Sequence, residues 1–265
     1  MNTEHSQINS TNSNATQIPL APHPVLTRHY SSAAERVHYI RQLFNQTAVD
    51  YDHINTWMSF GHGEQYRKEA LIRAGIKDGD TVLDCAAGTG VIAAHAQSLV
   101  GNTGQVIALD PSPAMLAIAQ QRGVHCTVIG IAEYLPLPDK SVDLITMGYA
   151  LRHVADLSVT FQEFARVLRP GGRLLILEMV PPPTRFGRIM SQFYLKHLVP
   201  TLAWLMTRRR DARRLMQYYW DTIDQCVAPA VVMTALETAG FNAVTRTVQL
   251  GLLTEYTAAW LSDSD

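Results

Sequence analysis

Two carboxylates and a glycine turn are the residues whose types and spacing could do chemistry. Asp84 ends the apolar run Thr81-Val82-Leu83 and lies four residues before Gly88 in the stretch Asp84-Cys85-Ala86-Ala87-Gly88-Thr89-Gly90. Asp110 ends the next such run, about 20 residues further on, where a ribose-binding acid belongs. A buried strand, a turn of small residues and a helix opening at Val91 would aim helix N-terminal amides at whatever lies over the loop. The segment Gly88-Thr89-Gly90-Val91-Ile92-Ala93 also fits the permissive form G-x-G-x-x-A, so the turn alone leaves NAD and S-adenosylmethionine (SAM) open. Asp84 favours SAM, because a carboxylate at the strand tip would repel a pyrophosphate but suits an ammonium group, directly or through water. No Tyr-x-x-x-Lys pair lies near the turn, which weighs further against an NAD-dependent oxidoreductase.

These residues need a sheet to hold them. Strands are predicted over 81–84, 105–110, 125–129, 144–148 and 173–178, and helices over 91–99, 113–122 and 157–168. Such alternation predicts an α/β fold with a mostly parallel sheet, right-handed crossovers and helices on both faces. Asp110-Pro111-Ser112-Pro113 reads as a capped helix start, and Arg169-Pro170-Gly171-Gly172 as the turn into the fifth strand. Asp84, Asp110, the Ala132-Glu133 turn and Gly148 then all fall at the carboxyl ends of strands, where such sheets bind ligands.

At 265 residues, 47% of them hydrophobic, the chain can bury one substantial core with a small cap. A formal charge of −1 gives no general pull toward nucleic acid. Cys85, Cys126 and Cys226 are widely spaced and odd in number, which suggests neither disulfides nor a metal site, and points to a reduced, cytoplasmic setting. Residues 1–22 are polar without a basic or apolar signal region, and a disordered tail is expected there. Residues 23–75 carry apolar residues at helical spacing and are expected to form a helical cap; 76–180 form the ligand-binding core. After Pro181-Pro182-Pro183, residues 181–228 read as a helical insertion or lid interrupted at Pro200, and 229–265 as a helix and two antiparallel strands completing a seven-stranded sheet. No apolar run is long enough to span a membrane. The arginines at 208–210, 213 and 214 read as a solvated face, although the segment 193–214 is also compatible with peripheral contact on an anionic membrane; a homodimer is left open.

Several stretches in register resemble one family. Val82-Leu83-Asp84 to Gly90 resembles motif I of the Rossmann-like class I SAM-dependent methyltransferases. Leu109-Asp110-Pro111-Ser112-Pro113-Ala114-Met115-Leu116 resembles their ribose-binding turn, Ala132-Glu133-Tyr134-Leu135-Pro136-Leu137-Pro138-Asp139 their adenine-side turn, and Leu168-Arg169-Pro170-Gly171-Gly172-Arg173-Leu174 their L-K-P-G-G-R-L turn. More narrowly, Phe44, Tyr51-Asp52, Asn55, Met58-Ser59-Phe60-Gly61 and Ala150-Leu151-Arg152-His153-Val154 are similar to the ubiquinone/menaquinone biosynthesis C-methyltransferase family. The chain departs from the family at Ile131, usually a polar residue, and at His153, usually an amide.

The resemblance implies SAM as cofactor, held by Asp84, Ala86, Gly88, Thr89, Gly90, Asp110, Pro111, Met115, Ile131, Ala132, Glu133 and Gly148. It implies a small phenolic or quinol-like acceptor, methylated at ring carbon; O- or N-methylation in secondary metabolism, or a SAM enzyme without methyl transfer, are the alternatives. Arg152, His153 and Tyr51 would surround the acceptor hydroxyl, with Arg152 stabilising a phenolate and orienting a water, and His153 accepting the proton.

Overall fold

The computed structural model describes residues 19–59 and 61–261. Most of the polar segment at the N-terminus, and Phe60, lie outside the described residues. The segment expected to be a loose tail to residue 22 is already tied down before that point. Leu157 donates its backbone N–H to the Leu20 carbonyl at 2.9 Å, Val227 donates to the Pro22 carbonyl at 2.7 Å, and Leu20 packs on the core.

Seven strands form one sheet in the order β3-β2-β1-β4-β5-β7-β6. They are β1 Thr81–Cys85, β2 Gln105–Asp110, β3 Cys126–Ile129, β4 Val142–Gly148, β5 Leu168–Met179, β6 Asn242–Gln249 and β7 Leu253–Trp260. The first five run parallel, and β7 runs antiparallel between β5 and β6. From β1 the chain steps outward to β2 and β3, then returns to the other side of β1 with β4 and β5. The order therefore reverses between β1 and β4, and a crevice must open above their carboxyl ends. The turn predicted before a fifth strand lies within β5 itself: Leu168 pairs with Val142 and Arg173 with Leu144, so the residues between bulge out, with Gly171 at φ +79°.

Helices cover both faces. α3 (Val91–Val100) and α4 (Pro113–Gln121) share one apolar layer with α2 (Gly63–Arg73), while α5 (Leu157–Val167) and α9 (Pro229–Thr238) pack on the other. Ser112 caps α4 by accepting the Met115 N–H at 3.2 Å, with Pro113 in the first turn, and Asp156 caps α5 by accepting from Ser158 at 2.8 Å.

α1 (Ala33–Met58) is a single helix of 26 residues, uninterrupted by proline or glycine. After β5 come α6 (Arg185–Gln192), a π-helical turn (Phe193–Leu198), α7 (Val199–Thr207) and α8 (Arg210–Asp224). The interruption expected at Pro200 is this π turn just before it, and Pro200 itself falls in the first turn of α7. The chain direction changes instead at Arg208, in left-handed conformation at φ 56°. α8 is no detached insertion: Leu215, Tyr218, Tyr219 and Trp220 are buried against Ile40, Leu43 and Ile54 of α1, forming a second core above the sheet.

Gly90 shows how closely the layers approach. It lies at φ +77°, and a Cβ there would sit 2.7 Å from the Ala119 Cβ. Gly90→Ala is expected to lower stability by about 2 kcal/mol or more through backbone strain and overpacking, read from urea unfolding midpoints; an unchanged midpoint would show that α3 and α4 can part freely.

Candidate active site

Two cavities meet over the carboxyl ends of β1 and β4. One, about 270 Å³, reaches down to Asp84 and is walled by Asn55, Arg67 and Thr89; the other, about 330 Å³, is walled by Asp110, Met115, Ile131 and His153. Tyr51, Ala86, Gly88, Gly148 and Tyr149 line both, so together they form one bent trough. Ala86 and Tyr149, at the ends of the two central strands, have φ of 57° and 60°. Strain of this kind, of order 1–3 kcal/mol each, persists only where surrounding structure enforces it, and it clusters at functional sites.

Asp84 is buried at the closed end. The Thr146 hydroxyl, on the neighbouring strand at the paired position, donates to Oδ1 at 2.8 Å, and the Ala93 N–H donates to Oδ2 at 3.0 Å. One of the α3 N-terminal amides expected to face a ligand is therefore taken up by Asp84. Burial outweighs both hydrogen bonds and raises the Asp84 pKa to about 7. Asp110 accepts from Gly88 N–H and Ser112 N–H, each at 2.8 Å, and burial raises it to about 6.

Arg67 lies with its guanidinium 4.9 Å from the Tyr149 ring centroid in the Asp84 cavity. Two carboxylates, a cation near the first and an apolar slot beyond the second match a nucleoside joined to an amino acid. Asp84 suits the ammonium, Arg67 the carboxylate, Asp110 the ribose hydroxyls, and Met115, Ile131 and Ala132 the flat base. The Ile131 side chain offers an apolar wall, so the amino group of a base would need backbone partners.

Of the residues expected at the cofactor, Asp84, Ala86, Gly88, Thr89, Asp110, Pro111, Met115, Ile131, Ala132, Glu133 and Gly148 all line the trough. Gly90 does not; its glycine character serves the packing of α3 on α4. Among the expected catalytic residues, Tyr51 and His153 line the trough, while Arg152 lines neither cavity. Its guanidinium is fully buried: Nη1 donates to both Glu178 carboxylate oxygens at 2.6 and 2.8 Å, and Nε donates to Thr222 Oγ1 at 3.1 Å. It packs 4.9 Å from the Tyr219 ring centroid, and the Tyr219 hydroxyl meets the Tyr51 hydroxyl at 2.5 Å. Arg152 thus stands behind the tyrosines rather than against an acceptor, because β5 delivers a buried carboxylate at Glu178 that draws the guanidinium inward.

His153 has Nδ1 3.1 Å from the Tyr218 hydroxyl, while Nε2 is buried without a hydrogen-bond partner. Its ring stacks on Tyr218 and meets Phe44 edge-on. Burial, reinforced by the Arg152 charge, holds its pKa well below the ordinary histidine value, so the imidazole is neutral.

Sequence reasoning gave no role to the contacts that seat the cap. The Asp52 carboxylate accepts from Thr89 Oγ1 at 2.6 Å and Arg122 Nη2 at 2.5 Å, and Arg122 Nε donates to the Thr89 carbonyl at 3.0 Å. Asn45 Oδ1 accepts from Ser112 Oγ at 2.6 Å. Asn45 and Asp52 are seven apart, two turns along one face of α1. That spacing was a usable signal once 33–58 is read as one helix.

The fold and the trough define a Rossmann-like SAM-dependent methyltransferase. The chain belongs to the ubiE/COQ5 methyltransferase family, whose sequence profile matches residues 31–258. It is 32% identical over 233 residues to a ubiquinone/menaquinone biosynthesis C-methyltransferase of Pseudoalteromonas translucida, covering 84% of this chain and 92% of that one. It is 33% identical over 219 residues to a demethylmenaquinone methyltransferase of Symbiobacterium thermophilum, covering 79% and 87%. Among solved structures, the fold is similar to a SAM-dependent methyltransferase from Aquifex aeolicus (TM-score 0.57, 21% identity, 79% of this chain and 98% of that one). It is also similar to phosphoethanolamine N-methyltransferase 2 of Haemonchus contortus in complex with SAM (TM-score 0.61, 16% identity, 88% and 61%).

Two outcomes follow from this geometry. Because Asp84 loses its charge as the pH falls through about 7, SAM affinity is expected to drop about tenfold between pH 8 and pH 6. Asp84→Asn should bind weakly with a much shallower profile, the remaining slope coming from Asp110 near pH 6, as titration calorimetry at each pH would show; an equally steep profile in the variant would assign the dependence elsewhere. Arg152→Met, which strands Glu178 in the core, is expected to cost about 3–5 kcal/mol in chemical denaturation, with Arg152→Met/Glu178→Leu recovering most of it.

Proposed function

We propose that this enzyme methylates a ring carbon of a small phenolic or quinol-like acceptor, with His153 receiving the hydroxyl proton. When bound, SAM supplies an electrophilic methyl group on a sulfonium, so the protein has mainly to align the acceptor with it and remove a proton. The observation that carries the reading is that His153 lines the trough together with Tyr51, Gly148 and Tyr149 while its Nε2 has no hydrogen-bond partner among the described residues. The names of the related C-methyltransferases support it.

Nε2 acts as an acceptor when Nδ1–H donates to the Tyr218 hydroxyl oxygen, and the stacked Tyr218 and Phe44 rings hold the imidazole in that orientation. The low basicity of a buried imidazole is no obstacle. As the ring carbon attacks, positive charge spreads to the adjacent hydroxyl oxygen and makes its proton strongly acidic, so a weak base suffices. His153 takes that proton and passes it to water. The resulting dienone then loses the hydrogen of the methylated carbon and takes a proton back on oxygen, which restores the aromatic ring and the hydroxyl, so the net change is one C–H proton exchanged for one methyl group.

Arg152 acts as a positioning residue. Its charge lies beneath Tyr219, whose phenol burial holds well above its ordinary pKa and therefore protonated. Tyr219 in turn fixes the Tyr51 hydroxyl at the trough wall.

His153→Phe keeps the ring packing and removes the acceptor atom. Turnover is expected to fall by about 10²-fold or more, while SAM binds within twofold of the parent. Single-turnover rates and calorimetry separate the two effects. Undiminished turnover would place the proton acceptor elsewhere, and an equal loss of SAM affinity would make His153 part of the cofactor site.

A further inference from the structure

We infer that the outer side of the lid is a lipid-binding site, in which a basic pocket takes the phosphate of an anionic phospholipid and the adjoining helix lays its apolar face in the membrane interface. A cavity of about 150 Å³, separate from the trough, is walled by Arg28, Lys196, His197, Arg213, Gln217 and Asp221. Its one carboxylate is already engaged, since Asp221 Oδ2 accepts from His29 Nε2 at 2.8 Å and from Arg28 Nη1 at 3.5 Å. Among the described residues no carboxylate pairs with Lys196 or Arg213. The pocket therefore presents cations whose charge the protein itself leaves unbalanced, a setting that suits a phosphate.

The same helix carries an unpartnered apolar stripe. Phe186, Ile189, Met190 and Phe193 recur at spacings of three and four and are 74%, 62%, 44% and 56% exposed, with Trp204 and Leu205 continuing beyond the π turn. A patch of this kind on a soluble fold marks an interaction surface. The stripe adjoins the pocket, since the Phe193 ring lies 6.2 Å from the His197 ring.

Charge decides what covers it. Residues 185–214 hold eight lysines and arginines against one acidic residue, Asp211; Arg188, Arg209 and Arg214 pair with Asp224, Asp50 and Asp211, which leaves Arg185, Lys196, Arg208, Arg210 and Arg213 without a carboxylate partner among the described residues. Cations flanking an exposed apolar helix face complement a surface that is anionic outside and hydrocarbon beneath, the arrangement of an interfacial helix. A nucleic acid would satisfy the cations but leave Phe186 and Phe193 in water.

The test is co-sedimentation of the full chain with phosphatidylcholine vesicles, with and without about 30 mol% phosphatidylglycerol. Partitioning to the anionic vesicles is expected, weakened about tenfold by Lys196→Gln/Arg213→Gln and similarly by Phe186→Ser/Phe193→Ser, with the SAM-induced thermal shift kept in both. Arg208→Gln/Arg210→Gln removes the same charge outside the pocket and is expected to weaken partitioning less. Equal losses in the two charge variants would overturn the pocket in favour of general attraction. Failure of the parent protein to sediment would overturn the site altogether, as would a thermal shift by inorganic phosphate without vesicle binding, which would assign the pocket to a free ion.

Discussion

Two arginines that barely reach solvent fasten the cap and the lid to the sheet, and the rest of the site depends on them. Arg36 of α1 donates through Nη2 to the carbonyls of Arg152 and Val154, at 3.1 and 2.6 Å. Arg152 in turn holds Glu178 at the end of β5 and Thr222 on α8. Four elements that are remote in sequence meet there around one buried ion pair. Such a pair is weak as a source of net stability, since desolvation consumes most of its attraction, but it is demanding about geometry. That demand fixes where β4 ends, and so where His153 and Tyr149 stand.

The buried charge also sets the electrostatics next door. Burial and the Arg152 cation together keep His153 neutral, while burial keeps Asp110, and burial with the Asp110 charge keeps Asp84, close to losing their charge near neutral pH. A cationic ligand restores the Asp84 charge by supplying the counterion the protein withholds. The trough is thus electrostatically unsettled in the direction that SAM relieves, which is a reason to retain an otherwise costly buried carboxylate.

Much of this was legible in the sequence, because the relevant signals are local. The alternation of apolar runs with Gly- and Pro-marked turns located all seven strands and the carboxyl ends that carry Asp84, Asp110 and Gly148, since strand ends and turn chemistry are written in neighbouring residues. What was not legible depends on contacts between distant segments. Arg152 looked like a residue facing the acceptor because nothing near it in sequence announces Glu178, which arrives 26 positions later to claim its guanidinium. Gly90 looked like a ligand-binding glycine because its neighbour is Ala119 on another helix. The cap contacts of Asn45 and Asp52 stayed silent for a similar reason: their partners lie on the loops after β1 and β2 and at the end of α4.

The central claim is transfer of a methyl group to carbon. Incubation of the enzyme with SAM deuterated in its methyl group and a quinol acceptor having one free ring carbon beside a hydroxyl, followed by mass spectrometry and carbon NMR of the product, tests it directly. The account predicts a trideuteromethyl group on that ring carbon in place of the hydrogen it carried. A label found on oxygen, or no label transferred while SAM is bound, would contradict it.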